Sequence, residues 1–252
     1  MIEFCQVTAG YPGREVLHGV DLSIPEGKIT SLIGPNGCGK TTLLKTACGL
    51  LSLRSGDIRF GGRSIRDFPR REFARLAAVL PQVRDIPAIR VGSFVAHGRY
   101  PHLSFGRDLT AKDRELVEQA MEETGVLPLR DKELSELSGG ERQRAYLAMT
   151  LAQDSQVLFL DEPTTYLDIG QKYEMLELVR RINARGKTVV MVLHDLSFAF
   201  SYSHRVAVMQ DGRLLLSGPS EEVFDSGAPA KAFGVTARKV EVDGTTEFLF
   251  QK

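Results

Sequence analysis

Three groups of residues have the types and spacing to do chemistry. The first is Gly34-Pro35-Asn36-Gly37-Cys38-Gly39-Lys40-Thr41, followed by Thr42, which has the form G-x-x-x-x-G-K-[ST] between an apolar run ending at Ile33 and a helix-forming run from Lys40. In such a loop the glycines let backbone N–H groups face phosphate oxygens, and the helix N-terminus adds positive potential. Lys40 would reach the outer phosphates of a nucleotide and the Thr41 hydroxyl would ligate Mg²⁺. The bland reading, a Gly-rich turn with a surface lysine, is outweighed by the strand before the loop and the helix after it. Cys38 lies beside these donors and Lys40, surroundings expected to favour a thiolate.

The second group is Asp161-Glu162, at the end of the apolar run Val157-Leu158-Phe159-Leu160. Alone it is a buried strand ending in a solvated acidic turn. Beside a phosphate loop it becomes specific, because Asp161 can hold the metal while Glu162 orients and deprotonates an attacking water. The third group is Leu137-Ser138-Gly139-Gly140-Glu141-Arg142-Gln143. A Ser hydroxyl and flexible Gly N–H groups at a helix start read as a second anion cradle.

Elements that alternate between strand and helix must position these groups. Strands are predicted at Ile2 to Val7, Val16 to Ile24, Lys28 to Ile33, Asp57 to Phe60, Ala77 to Leu80, Val157 to Leu160, Thr188 to Leu193 and Arg205 to Gln210. A helix opens at Lys40 and stops near Gly49. The block from Val91 to Ala152 reads as mostly helical, with a capping-box start at Thr110 and Asp113. Ile169 to Ala184 has the spacing of an amphipathic helix, and Asp211-Gly212 and Asp243-Gly244 read as hairpin turns. The expected organisation is an α/β body, residues 1–90 and 153–252, with a helical insertion at 91–152.

The 252 residues allow one large domain or two small ones, and 42% apolar residues suffice for a core. Lys+Arg and Asp+Glu both number 32, giving a net charge of 0, so no global field recruits nucleic acid. The Arg63, Arg66, Arg70, Arg71 and Arg75 stretch accordingly reads as a solvated face. Val189 to Leu193, the longest aliphatic run, is far short of the roughly 20 residues of a spanning helix. Three cysteines form no disulfide framework and the first residues resemble no secretory signal, so a cytoplasmic setting is expected.

With the Ser138 string between the phosphate loop and Asp161, the chain resembles the ATP-binding cassette (ABC) ATPases, over essentially its whole length. The resemblance implies an α/β P-loop NTPase core with an antiparallel β subdomain and an inserted α-helical subdomain, all one ABC ATPase domain over 1–252. It implies ATP and Mg²⁺ as ligands and assigns further roles. Gln82 resembles the glutamine that touches Mg²⁺ and water, His194 the switch histidine at the γ phosphate, Tyr11 the aromatic that stacks on adenine, and Leu167-Asp168 the D-loop. It also implies a head-to-tail pair of copies in which Ser138, Gly139 and Gly140 act on the partner's ATP. Such a pair closes on ATP and reopens after hydrolysis.

Gly98-Arg99-Tyr100-Pro101-His102 and Thr164-Thr165-Tyr166-Leu167-Asp168-Ile169 narrow the resemblance to ATPases of iron-siderophore, haem and vitamin B12 importers, most closely the ferric-siderophore group. His97 and His102 without further ligands make no metal site. The implied partners are two transmembrane permease subunits, docked on the helical block near Tyr100, and an extracytoplasmic substrate-binding protein acting on the permease. The implied location is the cytoplasmic face of the membrane. The alternatives are an importer ATPase for haem, vitamin B12 or a metal oxyanion, and a non-transport cassette ATPase. The latter usually carries two cassettes or a long coiled coil. A P-loop kinase is opposed by the Ser138 string and by Glu162 beside Asp161.

Overall fold

A computed structural model of the protein describes residues 1–82, 86–103, 108–242 and 244–252, and at Thr245 the backbone only. The first strand, β1 (Ile2–Tyr11), buries Ile2 and Phe4, then Val7 and Ala9. The alternation changes phase at Cys5-Gln6, where Gln6 takes φ 48° and both pairings of the strand shift register. Beyond this bulge the alternation resumes, and the strand runs past the expected Val7 to Tyr11. Antiparallel neighbours β2 (Arg14–Ile24) and β4 (Leu53–Phe60) flank β1, and β4 likewise begins before the expected Asp57. Gly56 of β4 faces the bulge at φ 78°, and a Cβ there would lie 2.2 Å from the Gln6 carbonyl oxygen, so no other residue fits.

Between these strands, β3 (Ile29–Ile33) leads into α1 (Lys40–Ala47). The short β5 (Arg63–Ser64) pairs with β4, completing a sheet ordered β2-β1-β4-β5. Then come α2 (Arg70–Leu76), β6 (Ala77–Leu80), α3 (Val91–Ala96), a 3-10 segment (His97–His102) and α4 (Ala111–Glu123). After α5 (Gly139–Ala152) follow β7 (Val157–Asp161), α6 (Ile169–Ala184), β8 (Thr188–Val192), α7 (Leu196–Tyr202), β9 (Arg205–Gln210) and β10 (Arg213–Pro219). The chain closes with α8 (Ser220–Asp225), α9 (Ala228–Phe233) and the hairpin β11 (Thr236–Val242) and β12 (Thr245–Gln251). The Asp211-Gly212 turn joins β9 to β10 as expected, whereas Asp243 of the second Asp-Gly pair lies outside the described residues.

The elements group into two compact units, residues 1–67 with 183–252 and residues 68–182. In the first, β3 lies between β8 and β9, parallel to both, and β10 extends the edge antiparallel. Every residue of β3 and β8 is buried, and the sequences are mostly apolar, with Thr30 and Ser31 of β3 and Thr188 of β8 as buried polar exceptions. Phe200 of α7, Phe224 of α8 and Phe248 and Phe250 of β12 form an aromatic cluster that seats the C-terminal hairpin.

In the second unit β6 and β7 pair in parallel, from Ala77 opposite Val157 to Leu80 opposite Leu160. Helix α4 starts with the capping box read from Thr110 and Asp113. Asp113 also accepts a hydrogen bond from Arg99 Nε at 2.9 Å, and Arg99 Nη1 donates to the Ala152 carbonyl at the end of α5 at 2.8 Å. Both charged side chains are buried, at 5% and 7% exposure. Arg71 and Arg75 are exposed and each donates through Nε to the Pro101 carbonyl, at 3.0 and 2.8 Å. The 3-10 segment carrying Tyr100 is thereby held on two sides, and Tyr100 itself stays 59% exposed. Among the described residues no helix is long and apolar enough to cross a membrane.

Candidate functional site

In the first unit β3 delivers the chain into Gly34, whose φ of 155° and close packing tolerate no side chain: a Cβ would stand 2.2 Å from the Met209 carbonyl oxygen. Gly37 and Gly39 also take positive φ, so the peptides from Gly34 to Lys40 turn around a concave path. Pro35 is half-buried and Asn36 and Gly37 are exposed at its lip. Helix α1 then starts at Lys40 with no side-chain cap and no acidic residue in its first turn, which suits an anion at its N-terminus. Lys40 is only 5% exposed, and its Nζ donates to the carbonyls of Gly34 at 2.7 Å and Pro35 at 3.1 Å. Thr42 is buried behind the loop, its carbonyl accepting from the Thr46 hydroxyl at 2.7 Å.

The expectation of a thiolate at Cys38 is overturned. Cys38 is 3% exposed, and burial pushes its thiol up by more than the charge and hydrogen bonds of Lys40 push it down. Its carbonyl has a structural part, accepting from Gly212 N at 3.1 Å, while the Gly212 carbonyl accepts from His18 N at 2.9 Å. Tyr11 ends β1 with 41% of its surface exposed, and His194 follows β8 as an exposed residue. Asp195, next to it, caps α7 by accepting from Phe198 N at 3.3 Å.

In the second unit β7 carries Asp161, 2% exposed, to the strand end. Glu162 follows with φ 55°, a sparsely populated conformation for a residue with a side chain. Its Oε2 accepts from Gln82 Nε2 at 3.1 Å and from the Thr165 hydroxyl at 3.0 Å. Gln82 stands just past the end of β6, so the parallel pairing of β6 with β7 brings these two expected site residues together. Thr165 was not singled out from the sequence as a partner of Glu162; its signal is a Thr three positions on, in a turn closed by Thr165 N on the Glu162 carbonyl at 3.2 Å.

Ser138 is the N-cap of α5. Its hydroxyl donates to Glu141 Oε2 at 2.7 Å and accepts from Glu141 N at 3.3 Å. The Ser138 hydroxyl and N–H together hold the Glu141 carboxyl below the usual range. The cradle expected from Ser138, Gly139 and Gly140 therefore carries an ionised carboxylate at its edge, and an incoming anion must compete with Glu141 for the Ser138 proton. Gln143 Nε2 donates to the Pro163 carbonyl at 3.0 Å, tying α5 to the residues after Glu162. A cavity of about 490 Å³ is lined by Gln82, Gly139, Gln143, Thr165 and Tyr166 among others. Asp168 Oδ1 accepts from Gln171 N at 2.8 Å, so the expected D-loop carboxylate serves as the cap of α6.

Each residue expected to meet the metal has, taken singly, a donor of the kind Mg²⁺ takes. Thr41 offers a hydroxyl, Asp161 a carboxylate, and Gln82 keeps its amide oxygen while its nitrogen faces Glu162. All are hard oxygen donors.

The family model described as ABC transporter matches residues 17–165, more than half of the chain. The iron(3+)-hydroxamate import ATP-binding protein of Bacillus subtilis is 40% identical over 238 residues, 93% of this chain and 88% of its own. The petrobactin import ATP-binding protein of Bacillus anthracis is 40% identical over 251 residues, 99% of this chain and 90% of its own. The fold matches a dimeric, post-hydrolysis ATP-binding cassette solved with ADP and Pi, with a TM-score of 0.76 at 23% identity, over 87% of this chain and 99% of that one. A phosphate loop whose Gly34 admits no side chain, a strand-end carboxylate pair and a Ser-Gly-Gly helix start thus coincide with extended similarity, and the chain belongs to the ABC transporter family, among its ATP-binding proteins.

Proposed function

We propose that this chain is the ATP-hydrolysing subunit of a membrane importer for ferric siderophores, acting as a head-to-tail pair at the cytoplasmic face beneath two permease subunits. The observation that carries the catalytic reading is the Glu162 carboxylate, oriented by Gln82 and Thr165 next to the buried Asp161. The siderophore reading is supported by the iron(3+)-hydroxamate and petrobactin import for which the two relatives are named. A dimeric fold relative supports the pairing.

In this reading the N–H groups from Gly34 to Thr42 and the Lys40 ammonium bind the phosphates, and Tyr11 stacks on the adenine. Glu162 accepts a proton from the attacking water, in a position fixed by two donors, and His194 contacts the γ phosphate. Thr41, Asp161 and Gln82 would hold Mg²⁺, which when bound neutralises charge developing on the phosphates. Ser138, Gly139, Gly140 and Asp168 would face the second copy's nucleotide. The exposed Tyr100 on its clamped segment is the proposed docking point for the permease, and an extracytoplasmic binding protein would deliver the cargo.

Replacing Glu162 by Gln tests the reading. Turnover should fall on the order of 10²-fold or more with ATP binding retained, and an ATP-bound dimer should accumulate on size exclusion. Unchanged Mg-ATP turnover would refute the catalytic assignment. A deletion strain that still grows with a ferric hydroxamate as its sole iron source would refute the cargo.

A further inference from the structure

We infer that Arg54 is a positioning residue that sets the direction of the Tyr11 ring and so contributes to recognition of the nucleobase. The inference rests on the proposed role of Tyr11. Strand β1 pairs with β4 only as far as Ala9 opposite Leu53, and then runs to Tyr11. It turns back through Pro12-Gly13 to Arg14, which lies opposite Tyr11 in β2. Past Leu53 the ladder to β2 continues, but on the β4 side one side chain takes the place of the backbone pairing. Arg54 Nη2 donates to the Tyr11 carbonyl at 2.6 Å and to the Arg14 carbonyl at 3.2 Å, so a single guanidinium holds both ends of the turn.

Arg54 Nη1 lies 3.9 Å from Glu15 Oε2, and Glu15 Oε1 contacts His18 Nδ1 at 2.8 Å. The guanidinium is thereby oriented from a third direction. Because the peptide group is planar, holding the Tyr11 carbonyl places the Tyr11 Cα, and the ladder pairing of Tyr11 with Arg14 limits the rotation that remains, so the two together set the Cα–Cβ direction. This matters for an exposed ring, which obtains little orientation from packing. Arg suits the task because its planar fork presents several donors at once, whereas Lys offers a point charge. A guanidinium that only braces the turn would affect stability but not discriminate between ligands with and without a base.

The test is equilibrium binding of ATP and of inorganic tripolyphosphate to the full chain. Tyr11→Ala should weaken ATP on the order of tenfold, the scale of one base stacked on an aromatic ring, and leave tripolyphosphate unchanged. Arg54→Ala should weaken ATP about threefold, the scale of one net hydrogen bond, again without touching tripolyphosphate, and Arg54→Lys should fall between. On the Tyr11→Ala background Arg54→Ala should cost nothing further. Arg54 is exposed, so these variants should fold, and a thermal melt of each checks that they do. Parallel loss of both ligands in Arg54→Ala overturns the inference. Intact ATP affinity in Arg54→Ala beside a loss in Tyr11→Ala also overturns it while leaving Tyr11 in its role. Intact ATP affinity in Tyr11→Ala removes the role of Tyr11, and that of Arg54 with it.

Discussion

Removing the Arg99 side chain should destabilise the protein by about 3 kcal/mol, because it strands a buried carboxylate. Breaking a buried pair by deleting one partner typically costs about 3–5 kcal/mol. The low end applies here, since Asp113 Oδ2 keeps the Thr110 hydroxyl at 2.6 Å and the Thr110 N–H at 3.0 Å after Arg99 is gone. The same contacts hold the Asp113 carboxyl at about 2, with the Thr110 hydroxyl the largest cause, opposed by burial and joined by the Thr110 N–H and Arg99. A folded value below the unfolded one stabilises the protein above the unfolded value, and the contribution is lost as pH falls towards about 2. Urea unfolding of wild type and Arg99→Ala, followed by circular dichroism at pH 7, should show the full gap. Repeating it at decreasing pH should show the gap narrowing as Asp113 protonates. Replacing the pair together, Arg99→Met with Asp113→Leu, should recover much of the loss. A loss under about 1 kcal/mol in Arg99→Ala would refute the reasoning, since a surface ion pair contributes no more than that.

Two further outcomes follow from the site. Cys5 is exposed and Cys38 is buried with its thiol pushed up, so a maleimide at neutral pH should label Cys5 well before Cys38; equal rates by mass spectrometry would contradict that burial. Ser138→Ala removes the N-cap of α5 and half of its capping box, which should cost about 1 kcal/mol and lower the melting temperature by about 2–4 °C, and an unchanged melt would show that Gly139 starts the helix unaided.

What was legible in the sequence was what local spacing encodes. The phosphate loop, the strand ending in Asp161-Glu162, the Thr110 cap and the whole of α6 each depend on residues within a few positions of one another. The contacts that orient those groups depend on distant parts of the chain. Arg54 reaches Tyr11 from another strand, and Gln82 meets Glu162 through the pairing of β6 with β7. Cys38 was misjudged because adjacency to Lys40 is visible in sequence, whereas burial beside Gly34 and Met209 is not. Strand β1 extends past Val7 because Ala9 to Tyr11 are held by the ladder to β2, a partner that local spacing does not show.

The Gly212 peptide ties the phosphate loop to the turn between β9 and β10, and β3 has β8 and β9 as its neighbours. These partners lie more than half the chain away from the loop they brace. During synthesis the phosphate loop emerges early but must wait for residues up to Gly212 before its strand is flanked and its Cys38 carbonyl is met. A ribosome-bound chain stopped short of Gly212 should therefore hold the complete G-x-x-x-x-G-K-T string without a nucleotide pocket, and ATP capture becomes a late event in the birth of the molecule.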